Sequence, residues 1–310
     1  MSERNVMESG PLFSVVVPTH NRAGLILKTL NTVLSQTHQS YEVVVVDDAS
    51  TDDTEQILEP LIRAEKIRYM KHDQNYERAK SRNTGMENAG GDFLTFLDSD
   101  DVMYPTNLED AASFIKANPE TRLFHSLYQL VDDENRVLCK YDFPSLADPL
   151  QAITGGNFLS SVGVFIHREI YQNYGFDTSP ILTGSEDWDY WLRVVPYYLP
   201  GRINKVNNGV VHHAGRSTTQ MDLSKLQCRF AYLTNKLRND PKLSSVYGKY
   251  LNRLEAGSLL YTSTVANLMC RHNEALRCLR RAASLDLGLV RSRSFMKALA
   301  IALLRWNKGH

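Results

Sequence analysis

The chain is constrained most by an alternation of two periods in its first hundred residues. Three apolar, β-branched runs, at residues 13–18, 41–47 and 93–97, recur with amphipathic segments between them. The first of these segments sets Ile26, Leu27, Leu30, Val33 and Leu34 on one helical face, and the second does the same with Ile57, Leu58, Leu61 and Ile62. A further strand is expected at 67–70 and a helix at 79–89, leading through Gly90 and Gly91 into the run at 93–97. Continuous apolar runs are those a parallel sheet buries on both faces, so the repetition predicts a doubly wound α/β sheet. Ligands of such sheets lie beyond the carboxyl ends of the strands, where Asp47-Asp48 and Asp98-Ser99-Asp100 both fall.

Those acidic residues carry the chemistry. Asp52 and Asp53, just before a helix, read as caps or solvated loop residues. Asp98, Asp100 and Asp101 are different, because three carboxylates closing a buried strand repel one another unless a cation neutralises them. Hard divalent ions take oxygen ligands, and Mg²⁺ commonly uses one or two carboxylates with substrate phosphate completing its shell. The usual phosphate grips are missing: there is no GxxxxGK[ST], and no GxGxxG follows the first strand. That argues against a P-loop enzyme and a nicotinamide dehydrogenase.

Composition narrows the setting. With 310 residues and 43% hydrophobic content the chain can bury one large domain and a smaller one. No apolar run reaches the roughly 18 residues that span a bilayer, and residues 1–10 lack a signal core, so a cytoplasmic protein is expected. Cys139, Cys228, Cys270 and Cys278 lack CxxC spacing and read as reduced, mostly buried thiols. The charge is divided: residues 215–310 hold 17 Lys plus Arg against 5 Asp plus Glu, out of 35 and 35 in the whole chain. The earlier part therefore carries −12 and the last part +12. One unit is suited to hold cations and the other to meet an anionic surface.

Four successive stretches then resemble the motifs of family 2 glycosyltransferases with the GT-A fold: "VVVPTHNR" at 15–22, "VVVVDDAS" at 43–50, "NYERAKSRNTGMENAGGDFLTFLDSDD" at 75–101 and "SEDWDYW" at 185–191. The resemblance covers about residues 12–220. It implies a GT-A domain, Rossmann-like with a doubly wound mixed sheet, at 12–217, after a tail at 1–11 and before an all-helical extension at 218–310. It also implies transfer of a sugar from a nucleotide-diphosphate donor to an acceptor hydroxyl, with Mn²⁺ or Mg²⁺, in polysaccharide, lipopolysaccharide or glycoprotein assembly.

By the same resemblance Pro18, Thr19 and Asn21 line the nucleotide site, and Asp48 is the carboxylate that meets the base. A carboxylate accepts the imide N–H of uracil, which favours a UDP-sugar. Arg82 belongs to the donor pocket, and Asp98 and Ser99 belong to the nucleotide side. Asp98, Asp100 and Asp101 are the expected metal carboxylates. His213, preferred over His212 because strand alternation lets only one face the site, would complete the metal shell. Glu186 and Asp187 are the candidate catalytic carboxylates, with Asp187 in the place of the base of an inverting displacement. Both lie in the first turn of a helix that Ser185 could cap, where the dipole favours the ionised form and predicts a depressed pKa.

Trp188, Tyr190 and Trp191 could stack on a sugar, though core packing suits two of the three. Acceptor specificity is expected in residues 121–165, which include a hairpin turning at "DDENR" and an apolar strand at 162–166. Beyond 217 the pattern is helical, with a tetratricopeptide-like hairpin facing Ala275, Leu276, Leu279 and Ala283 inward. The basic helices there predict a peripheral contact with the inner face of the membrane, or packing within the protein or against a second copy. A nucleotidyltransferase and a non-catalytic sugar-nucleotide scaffold are the competing readings.

Overall fold

The computed structural model describes residues 10–213 and 222–306, and its first unit is organised by a nine-stranded mixed sheet. The β-branched runs form β1 (Phe13–Thr19), β2 (Tyr41–Asp47), β3 (Arg68–Lys71) and β4 (Phe93–Phe96), parallel to one another in the order β3-β2-β1-β4. Beyond β4 the sheet continues with antiparallel β8 (Val164–His167), then β6 (Leu123–Val131), β9 (Pro200–Val211) and β5 (Val102–Met103). The expected hairpin forms as β6 and β7 (Val137–Lys140). The sheet is thus mixed, as expected: one half is parallel, and the other half is built from antiparallel pairs and the parallel pair β6–β9.

Both faces are covered, as continuous apolar strands require. On one face Val15 and Val17 of β1 and Val43 and Val45 of β2 pack with Ile26, Leu30 and Val33 of α1 (Ile26–Leu34), Leu58 of α2 (Thr54–Arg63), and Leu108 and Ala111 of α4 (Asn107–Ala117). Leu27 was expected on this face but is 38% exposed, because the 4-3 spacing of Ile26, Leu30 and Val33 leaves it at the edge of the stripe. The opposite face takes α3 (Glu77–Glu87). There Gly85 lies so near β1 that a Cβ on it would come within 2.2 Å of Val16 Cγ1. This close approach places Arg82, one turn earlier in α3, within reach of the end of β4.

Packing divides the chain into two units, and the second gathers residues 147–158 and 180–185 with the helices after residue 217. The expected boundary at 217 lies outside the described residues. Within the second unit, α8 (Leu223–Asn239) starts at Asp222, whose side chain accepts from the N–H groups of Ser224 and Lys225. Next, α9 (Pro241–Tyr247) starts at Asp240 in the same way, with proline in its first turn. The hairpin of α10 (Leu251–Leu268) and α11 (His272–Leu285) forms as expected, and α12 (Arg293–Trp306) packs beside it. The buried face of α11 is Ala275, Cys278, Leu279 and Ala282; Leu276 and Ala283 are half-buried. The face is rotated because α11 meets Ala256 and Leu260 of α10 and also Phe295 and Ala298 of α12.

Only Cys278 is buried; Cys139, Cys228 and Cys270 are exposed, contrary to expectation. Cys139 lies on β7, an outer strand whose residues are all exposed. Among the described residues no helix is long and apolar enough to cross a membrane.

Candidate active site

The carboxyl ends of β1, β2 and β4 deliver the acidic residues to one edge of the first unit, as strand topology requires. After β4 the chain makes a turn in which the Asp101 N–H donates to the Asp98 carbonyl at 3.0 Å. This folds the three carboxylates back on one another, and oxygens of Asp98, Asp100 and Asp101 all lie within 4.8 Å. The expected repulsion is met by a separate partner for each. Asp98 pairs with Arg82 Nη2 at 3.0 Å, and Asp100 with His213 Nε2 at 2.9 Å and Arg22 Nε at 3.6 Å. Asp101 accepts the Val211 N–H at 2.9 Å and is fully buried. His213 thus faces the cluster, while His212 is exposed and its N–H donates to the Val131 carbonyl. An all-oxygen carboxylate set with an imidazole beside it fits a hard divalent cation.

Arg82 links the two acidic sequence motifs. Its side chain is 2% exposed, with Nη1 on Glu186 at 2.9 Å and Nη2 on Asp98 at 3.0 Å. The guanidinium carbon lies 6.0 Å and 5.5 Å from the ring centroids of Phe96 and Phe176. Burial disfavours its charge, but Asp98, Glu186 and Asp187 outweigh that and raise its pKa further. Glu186 is therefore spent on an ion pair, which accounts for one of the two carboxylates that open α7 (Glu186–Val194).

Asp187 sits beside that pair and is half-buried, with Oδ1 accepting the Trp188 N–H at 2.8 Å. Burial, then the neighbouring Glu186 and the charge of Asp98, push its carboxyl up from 3.8 to about 6 against the pull of Arg82. The expectation of a depressed pKa is overturned. A helix N-terminus is worth about 0.3–1 kcal/mol to an anion, whereas a rise of that size is on the order of 3 kcal/mol. Nor does the Ser185 hydroxyl turn into the helix alone, since it donates to the Gly184 carbonyl at 2.8 Å.

Among the residues expected to meet the nucleotide, the Thr19 carbonyl accepts the Asp48 N–H at 2.8 Å, and Pro18 and Thr19 are buried. The buried Thr19 hydroxyl oxygen has no partner among the described residues. Asn21 is exposed and holds a left-handed backbone, φ +50°; its Oδ1 accepts the Thr51 N–H at 2.8 Å, bracing the loop after β1 against the loop after β2. Asp48 is buried, and its Oδ1 receives His72 Nδ1 at 2.7 Å and the Tyr76 N–H at 2.9 Å. Ser99 is buried within the acidic turn. Asp52 does act at the start of α2, accepting from the Thr54 N–H at 3.1 Å, while the Asp53 side chain makes no capping bond.

Several site residues were not singled out from sequence: His72 and Tyr76 at Asp48, Arg22 at Asp100, and Phe176 beneath Arg82. A lone His or Phe carries no pattern, but Arg22 closes the first motif quoted above, and its place after the first strand was a usable signal. The aromatic residues of α7 are core: Trp188 is buried, Tyr190 stacks on Phe176 at 4.3 Å, and Trp191 donates its indole N–H to the Ser160 carbonyl at 2.7 Å.

A parallel sheet half ending in paired acids and joined to antiparallel strands is the GT-A architecture of nucleotide-sugar glycosyltransferases, and solved structures share it. S. aureus TarS 1-349, in complex with UDP-GlcNAc, matches with TM-score 0.67 at 20% identity, covering 96% of this chain and 92% of that one. The mannosyltransferase PcManGT of Pyrobaculum calidifontis, in complex with GDP-Man and Mn²⁺, matches with TM-score 0.62 at 18% identity, covering 96% and 85%. At these identities the likeness is one of fold. Residues 14–161 match the model of glycosyl transferase family 2. An uncharacterized glycosyltransferase of Rickettsia felis is 27% identical over 251 residues, or 78% of this chain and 40% of its own length. The chain spans 40%, 33% and 40% of the length of its relatives from Rickettsia felis, R. bellii and R. conorii.

Proposed function

We propose that this chain is a metal-dependent, inverting glycosyltransferase that moves a sugar from a nucleotide-diphosphate donor, a UDP-sugar by preference, to an acceptor hydroxyl of a glycan. The observation that carries the reading is the placement of Asp187, a carboxyl pushed up to about 6, beside the Arg82–Asp98 pair at the sheet edge that also holds Asp100. A base with a pKa near the working pH is well matched to taking a hydroxyl proton as the nucleophile bonds.

In this reading Asp187 accepts the acceptor's proton while that oxygen attacks the anomeric carbon from the face opposite the leaving diphosphate. Arg82, Arg22 and His213 bring positive charge to the edge where the leaving group departs. A divalent cation, when bound by Asp100 with Asp98, Asp101 and His213, would supply further charge to the diphosphate. His72 and the Tyr76 N–H fix one oxygen of Asp48, leaving the carboxylate oriented for a base N–H. TarS with UDP-GlcNAc supports a uridine donor, and PcManGT with GDP-Man and Mn²⁺ supports the metal. The match of residues 14–161 to the family 2 model weighs against the nucleotidyltransferase reading.

The test is a thermal-shift screen of UDP- and GDP-sugars with and without Mn²⁺. Stabilisation by a UDP-sugar that grows with Mn²⁺ is expected; a protein indifferent to every nucleotide sugar under both conditions contradicts the proposal.

The helical unit supports a second partner. Along α12 the residues Arg293, Met296, Lys297, Ala300, Leu303 and Leu304 are exposed at helical spacing, Leu304 by 70%. An apolar stripe with cations at one end suits the surface of an anionic bilayer. The chain should float with anionic vesicles at low salt; a chain left in the soluble fraction removes this partner.

A further inference from the structure

The aromatic residues of α7 are consumed by the core, so a sugar-binding surface has to be sought elsewhere. The β6–β7 hairpin offers one. Gln129 of β6 pairs with Lys140 of β7, and one step further along the same ladder Tyr128 meets Tyr141 with ring centroids 5.0 Å apart. Phe143 packs edge-on to Tyr128 at 5.1 Å, and the Arg202 guanidinium lies 5.7 Å from the Phe143 ring centroid. Tyr141 is 41% exposed, and Tyr128 and Phe143 are half-buried. Three rings are thus held in contact at an outer hairpin without being folded into the core.

Their position is fixed relative to the base. Tyr128 pairs with Asn208 of β9, five residues before His213, and the Ser160 carbonyl nearby accepts the indole N–H of Trp191, one turn along α7 from Asp187. Ser160 holds a left-handed backbone, φ +55°, which turns its carbonyl to Trp191. Burial is the main cause that raises the Tyr128 phenol. A pyranose presents one face of C–H groups, which packs on aromatic rings while its hydroxyls stay hydrated.

We propose that Tyr128, Tyr141 and Phe143 form the acceptor platform, on which a pyranose ring lies with one hydroxyl directed toward Asp187. The inference rests on the glycosyltransferase reading of the same edge, and it assigns acceptor recognition to residues that touch neither nucleotide nor metal. Tyr141, 41% exposed, supplies the outer ring of the platform. Tyr128 joins the platform to β9 and so to His213 at the acidic edge.

The experiment labels the full chain with 3-fluorotyrosine and assigns Tyr128 and Tyr141 by their Phe variants. With UDP and Mn²⁺ present, methyl β-glycosides of glucose, galactose and N-acetylglucosamine are titrated in. The two assigned ¹⁹F resonances should move saturably with at least one glycoside, and Tyr141→Ala should weaken that midpoint about ten-fold while leaving UDP affinity unchanged. Because Tyr141 is exposed, the variant should fold, and Tyr128→Phe, which keeps the ring, should retain glycoside binding. Silent resonances with UDP bound, or an unchanged midpoint in Tyr141→Ala, overturn the platform alone. Failure of the parent chain to bind UDP overturns the glycosyltransferase reading and the platform with it.

Discussion

The two halves of the sheet serve one edge by different means. In the parallel half, β1, β2 and β4 each end at a residue of the site, so Thr19, Asp48 and Asp98 arrive there through strand topology alone. In the other half nothing arrives by topology alone. His213 reaches Asp100 only because β9 runs the length of β6, and Asp187 is held through Arg82 and Trp191. The parallel half brings negative charge, and α3 and the ends of the other elements answer it with Arg82, Arg22 and His213. On the proposed reading, a site assembled this way separates donor binding from proton transfer, and its parts should fail separately.

The largest expected separation is at Asp187. Asp187→Asn should reduce turnover by about 10²–10⁴ and leave nucleotide affinity within a few fold, because the base touches the acceptor. Transfer at near the parental rate would remove Asp187 from the mechanism. Arg82→Met removes the link between the halves, taking from Asp98 and the buried Glu186 the guanidinium they share. A loss of roughly 3–5 kcal/mol in denaturant unfolding is expected, as for other buried pairs broken on one side. A loss below about 1 kcal/mol, typical of surface pairs, would show that the pair does not hold the edge together.

A smaller effect concerns pH. Asp187 must be ionised to accept a proton, and its carboxyl is pushed up to about 6. Activity should be level above that value and fall about ten-fold per pH unit below it. The stability sign is opposite to that of an ordinary carboxylate. A raised pKa means the folded chain holds this proton more tightly, so the contribution is complete below the unfolded value and is lost as pH rises through about 6. Asp187→Asn should accordingly melt higher than the parent at pH 7.5, with the difference closing below pH 4. A plateau of activity reaching unchanged to pH 4.5 would show that the pKa is not raised.

The same comparison explains what could be read in advance. The strands of the parallel half were legible because β-branched runs and a 3.6-residue stripe are local signals, and Asp48 and Asp98 follow directly from where those runs stop. His72, Arg22 and Phe176 were not singled out, because each acquires its role only from a partner far away in sequence. The reversal at Asp187 has the same origin. Its position on a helix is local, but the burial and like charge that decide its pKa come from packing around Glu186 and Asp98. The aromatic residues of α7 show the converse, since helical spacing alone cannot distinguish a ring that stacks on Phe176 from one that meets a ligand.

The central claim is that the acidic edge binds a nucleotide diphosphate through a cation at Asp100, apart from the base at Asp187. Calorimetric titration of UDP into the parent, Asp100→Ala and Asp187→Asn, each with and without Mn²⁺, tests it most directly. The account predicts Mn²⁺-dependent binding in the parent, the same within a few fold in Asp187→Asn, and none in Asp100→Ala. Unchanged UDP affinity in Asp100→Ala, with the parental dependence on Mn²⁺, would contradict it.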